Sequence, residues 1–127
     1  MNSFLRYNIL SILWAIFILV LCLMPGRHLP RIPIYEFDKI VHFTFYFVLA
    51  LMMYYGWKKQ DLFLSLHHSM ITKIIIITSS YGFIIEIMQE LFTADRHFDI
   101  FDALANSIGA VAGSFLAIYI KPKLTNT

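Results

Sequence analysis

The chain has 127 residues, of which 59% are hydrophobic and only 14% are charged, and its mean hydropathy is +0.70. Because soluble domains carry about a quarter charged residues, this composition excludes an ordinary soluble globular protein and indicates one membrane domain over residues 1–127. The net charge of +2, with no basic and aromatic patch outside the apolar runs, gives no support to nucleic-acid binding. The connections are too short for a soluble catalytic domain, so any chemistry has to come from the helices and their ends.

Four apolar runs predict an all-α integral membrane protein with four transmembrane helices in one compact bundle. We expect the spans at about 7–24, 39–57, 71–92 and 100–120. The first run is longer than the apolar core of a signal peptide and is therefore interpreted as a span. The third run is charge-free only from Ile74 to Ile85, and we expect a membrane helix that carries functional charges. Pro25-Gly26 is predicted to end the first helix, Lys58 to Ser69 to form a polar connection, and Lys121-Pro122-Lys123 to end the fourth run.

Lysine and arginine near the helix ends indicate the orientation. With a cytoplasmic amino terminus, the cytoplasmic side holds six of them, and the other side holds four: Arg6, Lys58, Lys59, Lys73, Lys121 and Lys123 against Arg27, Arg31, Lys39 and Arg96. The positive-inside rule therefore predicts that both termini are cytoplasmic. Seven of the eight acidic residues then fall on or near the outer face: Glu36, Asp38, Glu86, Glu90, Asp95, Asp99 and Asp102.

Polar side chains form a stripe on each of three predicted helices, at the same end of the bundle. Residues spaced three or four apart share a helical face. The stripes are Asp38, His42 and Tyr46 on the second helix, Ser79, Gly82, Glu86 and Gln89 on the third, and Asp99, Asp102, Asn106, Gly109 and Gly113 on the fourth. At 1.5 Å per residue, Tyr46, Glu86 and Asn106 all lie roughly 9 Å below their helix ends. We expect these groups to face one another, because ionisable groups in a span are costly when they face lipid.

This arrangement has several interpretations. Glu86, Asp102 and His42 are general acid–base candidates, and Arg96 could bind a phosphate or carboxylate head group. Asp38, Asp99 and Asp102 with His42 could coordinate a cation, but no closely spaced ligand motif is present and no metal site or cofactor is assigned. A purely structural network between helices is the alternative, although such contacts average under about 1 kcal/mol each in lipid. No recognised catalytic motif is present, so the sequence leaves open whether the protein is an enzyme.

A stripe of small residues, Ala105, Gly109, Gly113 and Ala117, contains a GxxxG pattern that allows close helix approach. We expect Gly109 and Gly113 to pack against another helix of the same chain, and homo-oligomerisation through this stripe stays open.

The sequence resembles the VanZ-like family of bacterial integral membrane proteins. The matching pieces are Asp38-Lys39-Ile40-Val41-His42-Phe43 with Tyr46, Glu86-Ile87-Met88-Gln89, Arg96 with Asp99, and Asp102-Ala103-Leu104-Ala105-Asn106 with Gly109 and Gly113. The resemblance covers about Pro25 to Leu116. It implies a bacterial cell membrane location and an envelope role, and the family founder is associated with low-level resistance to the glycopeptide teicoplanin. It implies no reaction.

The leading hypothesis is a multi-pass protein of the bacterial inner membrane with a polar pocket at its outer face. The pocket would bind an envelope lipid, glycolipid or glycopeptide, with a teicoplanin-resistance-type role as one form of this function. The alternatives are a membrane enzyme that acts on a lipid head group by acid–base chemistry, and a structural or accessory subunit without a ligand. The candidate binding or catalytic residues are Asp38, Lys39, His42, Tyr46, Glu86, Gln89, Arg96, Asp99, Asp102 and Asn106.

The orientation predicts that a reporter active only in the cytoplasm works when it is fused after Thr127, because the lysine and arginine bias places the carboxyl terminus inside. Enzyme activity of matched cytoplasmic and periplasmic reporter fusions measures this. A silent cytoplasmic reporter together with an active periplasmic one would reverse the orientation.

Overall fold

The computed structural model describes residues 3–24, 37–59, 67–93 and 98–125, and these form four helices. The helices are α1 (Ser3–Leu23), α2 (Phe37–Lys59), α3 (His67–Phe92) and α4 (Ile100–Thr125). Each contains a stretch long and apolar enough to cross a membrane: Leu5–Leu23, Lys39–Trp57, Met70–Phe92 and Ile100–Ile120. The helices pack together and no strand occurs in the described ranges. The prediction of an all-α membrane protein with four packed helices is confirmed.

The helices extend further than the apolar runs at several ends. α3 begins at His67 and α2 includes Lys58 and Lys59, so both ends of the predicted polar connection are helical. α4 continues to Thr125, beyond the predicted stop at Lys121-Pro122-Lys123. Hydropathy marks where contact with lipid ends, whereas backbone hydrogen bonding can continue into the aqueous phase. α1 ends at Leu23, and Pro25-Gly26 lies outside the described residues.

The distribution of side chains is that of a protein embedded in lipid. Large apolar side chains are exposed along the spans, among them Leu10, Phe101 and Phe115. Polar side chains are buried between the helices, among them Thr78 and Ser114. This exposed apolar surface requires a hydrocarbon environment.

The contact between α2 and α4 is the most extensive helix–helix contact in the described part of the chain. Gly109 and Gly113 are buried in it, and a Cβ atom at either position would collide with the carbonyl oxygen of Phe43 or Phe47. The two backbones therefore approach as closely as glycine permits. The small-residue stripe of α4 is occupied within the chain, as the sequence analysis expects.

Side-chain donors attach α1 to the rest of the bundle. Trp14 Nε1 donates to the Phe45 carbonyl oxygen over 2.9 Å. Gln89 Nε2 donates to the Cys22 carbonyl oxygen over 2.8 Å, and the Tyr81 hydroxyl donates to the Ala15 carbonyl oxygen. α1 therefore packs against α2 and α3, and it contributes structural contacts to the core through Ile18 and Cys22.

The close approach predicts that Gly109→Ala destabilises the protein. The added methyl group forces the backbones of α2 and α4 apart, and overpacking of this kind costs about 1–3 kcal/mol, against which alanine regains about 1 kcal/mol of helix propensity. Thermal unfolding in detergent measures the effect, with Val111→Ala on the exposed side of α4 as the control. A Gly109→Ala variant as stable as wild type would show that this contact is looser than described.

Candidate functional site

Four buried polar side chains from three helices meet at one end of the bundle. We call His42 of α2, Glu86 of α3, and Asp102 and Asn106 of α4 the polar cluster. Their exposed fractions are 3%, 0%, 7% and 1%, respectively. The cluster lies near the amino-terminal ends of α2 and α4 and the carboxy-terminal end of α3. The structure thus brings together one or two members of each polar stripe predicted from the sequence.

His42 lies at the centre of the polar cluster. Its Nδ1 atom is 3.0 Å from Asn106 Oδ1 and 3.7 Å from Glu86 Oε1. Its Nε2 atom is 3.7 Å from Asp102 Oδ2. Because an amide oxygen only accepts hydrogen bonds, this contact is a hydrogen bond in the tautomer that carries the proton on Nδ1, and Nε2 then faces Asp102.

The absence of a side chain at Gly82 makes room for this cluster. A Cβ atom at Gly82 of α3 would lie 2.8 Å from Asn106 Nδ2. The missing side chain at Gly82 therefore lets Asn106 fill the space between α3 and α4 and reach His42. The glycine in the predicted stripe of α3 thus has a spatial role in the site.

An ion-pair layer lies above the polar cluster, at the ends of the same helices. Lys39 Nζ is 3.1 Å from Asp99 Oδ2 and 3.2 Å from Asp102 Oδ1. Asp99 also caps α4, because its Oδ1 accepts a hydrogen bond of 2.8 Å from the Phe101 backbone amide. This backbone amide and the Lys39 ammonium lower the pKa of Asp99. Asp102 contacts both Lys39 and His42, so it connects the ion-pair layer with the polar cluster.

A groove runs between α2 and α4 from the ion-pair layer along the apolar part of the bundle. One section has a volume of about 520 Å³ and is lined by Lys39, Asp99, Phe101, Leu104, Ala105 and Ile108. A second section of about 350 Å³ shares Lys39, Ala105 and Ile108 and adds Ile40 and Phe43. We call these two sections the α2–α4 groove. It is polar at one end and apolar along its length.

Two of the remaining sequence candidates, Tyr46 and Gln89, have described side chains that lie outside the polar cluster and the ion-pair layer. Tyr46 lies one turn from His42, fully buried, with its ring centroid 6.3 Å from that of Tyr81. Gln89, expected to face the polar stripes of the second and fourth helices, donates instead to α1, because α3 packs against α1 as well as α4. Arg96 lies outside the described residues, as does the side chain of Asp38, although α2 includes its backbone.

Sequence reasoning missed two features of this end. The first is the apolar wall of the groove, Phe101, Leu104 and Ile108, because apolar residues in a span give the same pattern whether they face lipid or a groove. The second is Glu90, whose Oε2 accepts a hydrogen bond of 2.6 Å from the Phe98 backbone amide. Its spacing of four from Glu86 is the signal that could have placed it near the start of α4.

Four packed membrane-spanning helices with ionisable side chains gathered at one end define a small multi-pass membrane protein with a polar intramembrane site. The family model described as VanZ/LLP1 matches residues 2–121, and the chain therefore belongs to the VanZ/LLP1 family. No curated protein and no solved structure matches the chain.

The polar cluster predicts that Asn106→Ala destabilises the protein. The substitution leaves the buried His42 Nδ1–H without its amide acceptor, and an unsatisfied buried donor costs about 1–3 kcal/mol. Thermal unfolding in detergent measures this, with Ser107→Ala, the adjacent and less buried position, as the control. Equal loss in both variants would contradict a specific role for the contact between Asn106 and His42.

Proposed function

We propose that this protein binds an envelope amphiphile with a hydroxyl-rich head group, a glycolipid or an acylated glycopeptide, in the α2–α4 groove at the outer leaflet. The observation that carries the proposal is the groove itself, which joins a charged end at Lys39 and Asp99 to an apolar wall. An amphiphile has the same division into a polar head and an apolar chain. Ligand sites generally combine apolar lining with a few placed polar groups.

The charges at the polar end favour a head group that donates hydrogen bonds. Asp99 and Asp102 place two carboxylates around the single Lys39 ammonium. Carboxylates only accept hydrogen bonds, so they complement sugar hydroxyls and amides. They repel a phosphate that lacks a further cation. Arg96, close to Asp99 in sequence, is our candidate for that cation.

Membership of the VanZ/LLP1 family is consistent with an envelope ligand. A role of the teicoplanin-resistance type belongs to the same proposal, since a glycopeptide with an acyl chain offers both a hydroxyl-rich head and an apolar tail. The orientation that puts the groove at the outer leaflet rests on the lysine and arginine bias.

Acid–base catalysis on a bound head group is a second candidate function. The observation that favours it is the position of Asp102, between Lys39 at the groove and His42 in the polar cluster. A proton could move between the buried His42 and a ligand through this carboxylate. Glu86 and His42 would then act as the deeper acid–base pair.

The proposal predicts that Asp99→Asn weakens glycolipid binding by about tenfold or more, because hydrogen bonds to a charged group contribute about 1.5–3 kcal/mol. Asparagine is an equally good helix cap, so α4 keeps its start. The measurement is native mass spectrometry of protein in phosphatidylcholine nanodiscs, with diglucosyl diacylglycerol as the probe and diacylglycerol of the same chains as the reference. The same spectra reveal a cleaved head group if the second candidate function operates.

Three further variants sharpen this experiment. Ala105→Leu fills the α2–α4 groove without changing a charge and should reduce binding, whereas Val111→Leu on the exposed side of α4 should not. Glu90→Gln is the matched carboxylate control outside the groove. Wild-type protein that shows no preference for the glycolipid over diacylglycerol, or binding that Ala105→Leu leaves unchanged, would overturn the proposal.

A further inference from the structure

We propose that His42, Glu86 and Asp102 bind one divalent first-row transition-metal ion, with Zn²⁺ and Mn²⁺ as the best-matched cations. The site is the inner part of the polar cluster, and the inference does not depend on a ligand in the α2–α4 groove. It departs from the sequence analysis, which assigned no metal and weighed Asp38 and Asp99 rather than Glu86 as partners of His42 and Asp102.

The spacing of the donor atoms fits a single ion. One donor atom from each of the three side chains lies within 4.8 Å of the other two. Metal–nitrogen and metal–oxygen bonds of about 2.0–2.2 Å place bound donor atoms roughly 3–4 Å apart. The 3.7 Å between His42 Nε2 and Asp102 Oδ2 is already in that range. Glu86 Oε1 lies 3.7 Å from the other ring nitrogen, Nδ1, so a bound ion requires the Glu86 carboxylate to turn towards Nε2.

The surroundings of His42 match those of a metal ligand. A ligating imidazole commonly donates its second ring N–H to an oxygen, which fixes the tautomer and aims the other nitrogen at the metal. Asn106 Oδ1 is in this position, 3.0 Å from Nδ1. The Nε2 lone pair consequently points towards Asp102 Oδ2, at a distance beyond a hydrogen bond.

A second observation comes from polar atoms next to the donor set. Tyr46 Oη and Asn106 Nδ2 are buried and have no hydrogen-bond partner among the described residues. Tyr46 lies one turn below His42 on the same helical face and interacts electrostatically with Glu86. An ion with three protein ligands keeps open positions for water, and a metal-bound water beside Tyr46 would supply its missing partner.

Electrostatics favours a cation in the same place. Glu86 and Asp102 bring two carboxylates into a buried space, and Lys39 Nζ, 3.2 Å from Asp102 Oδ1, also contacts Asp99. A divalent ion between Glu86 and Asp102 would balance both charges inside the span. The single imidazole favours Zn²⁺ over Mg²⁺ and Ca²⁺, which prefer oxygen ligands alone, and the two carboxylates suit Mn²⁺.

Metal content of the wild-type protein tests the inference directly. The protein is purified without a polyhistidine tag, stripped with a chelator, dialysed against micromolar Zn²⁺ or Mn²⁺, and measured by inductively coupled plasma mass spectrometry. We expect one ion per chain. Stoichiometric binding of neither ion by folded wild-type protein would overturn the inference without any variant.

Variants then locate the ion. Glu86→Gln should lower the affinity for the metal ion at least about tenfold, because changing even an outer-shell partner of a metal ligand costs that much. Glu90→Gln on the same helix should leave the affinity for the ion unchanged. Helicity by circular dichroism shows that each variant is folded. His67 and His68 are adjacent histidines at the start of α3, outside the proposed donor set, and the double variant His67→Ala/His68→Ala should retain the ion. If binding survives Glu86→Gln but disappears in the double variant, the metal lies elsewhere.

Co²⁺ substitution gives an independent readout. Visible absorption of the Co²⁺ protein should show nitrogen and oxygen ligation without the intense charge-transfer band of a thiolate, because Cys22 is not in the donor set. Asp99→Asn should retain the ion even where it weakens glycolipid binding, so the two proposals can fail separately. A thiolate band from the bound Co²⁺ would contradict the assigned ligands.

Discussion

The close backbone contact between α2 and α4 is the constraint on which the rest of the structure depends. Gly109 and Gly113 let the carbonyl groups of Phe43 and Phe47 lie against α4. At that separation the short side chain of Asn106 reaches His42, and Lys39 reaches Asp99 and Asp102. A wider crossing would break these contacts together, so the glycines determine the chemistry of the site although they carry none.

The polar cluster is shielded from lipid by the helices that carry it. Ionisable groups inside a span cost at least a few kcal/mol when they face hydrocarbon. Here the cluster is enclosed by three helices, and the apolar side chains point outwards. The same burial lowers the local dielectric constant, so a charge in the cluster interacts more strongly than it does in water.

The fold was predictable from the sequence because hydropathy and length decide which segments cross a bilayer. Spacing alone also predicted one depth for Tyr46, Glu86 and Asn106 and placed His42 and Asp102 on the facing polar stripes, since helical geometry converts sequence distance directly into depth. It could not assign Gln89 to α1, because the neighbours around a helix depend on packing. The groove was unpredictable for a similar reason: the inward or outward direction of Leu104 or Ile108 is not encoded in hydrophobicity.

The connectivity of the polar cluster has a consequence for biosynthesis. His42 and Asn106 are 64 residues apart, and the helix that supplies Asp102 and Asn106 is the last of the four in the chain. During translation, α2 and α3 therefore enter the membrane before α4 can shield His42 and Glu86. Until α4 arrives, His42 and Glu86 lack the two side chains, Asp102 and Asn106, that complete the polar cluster.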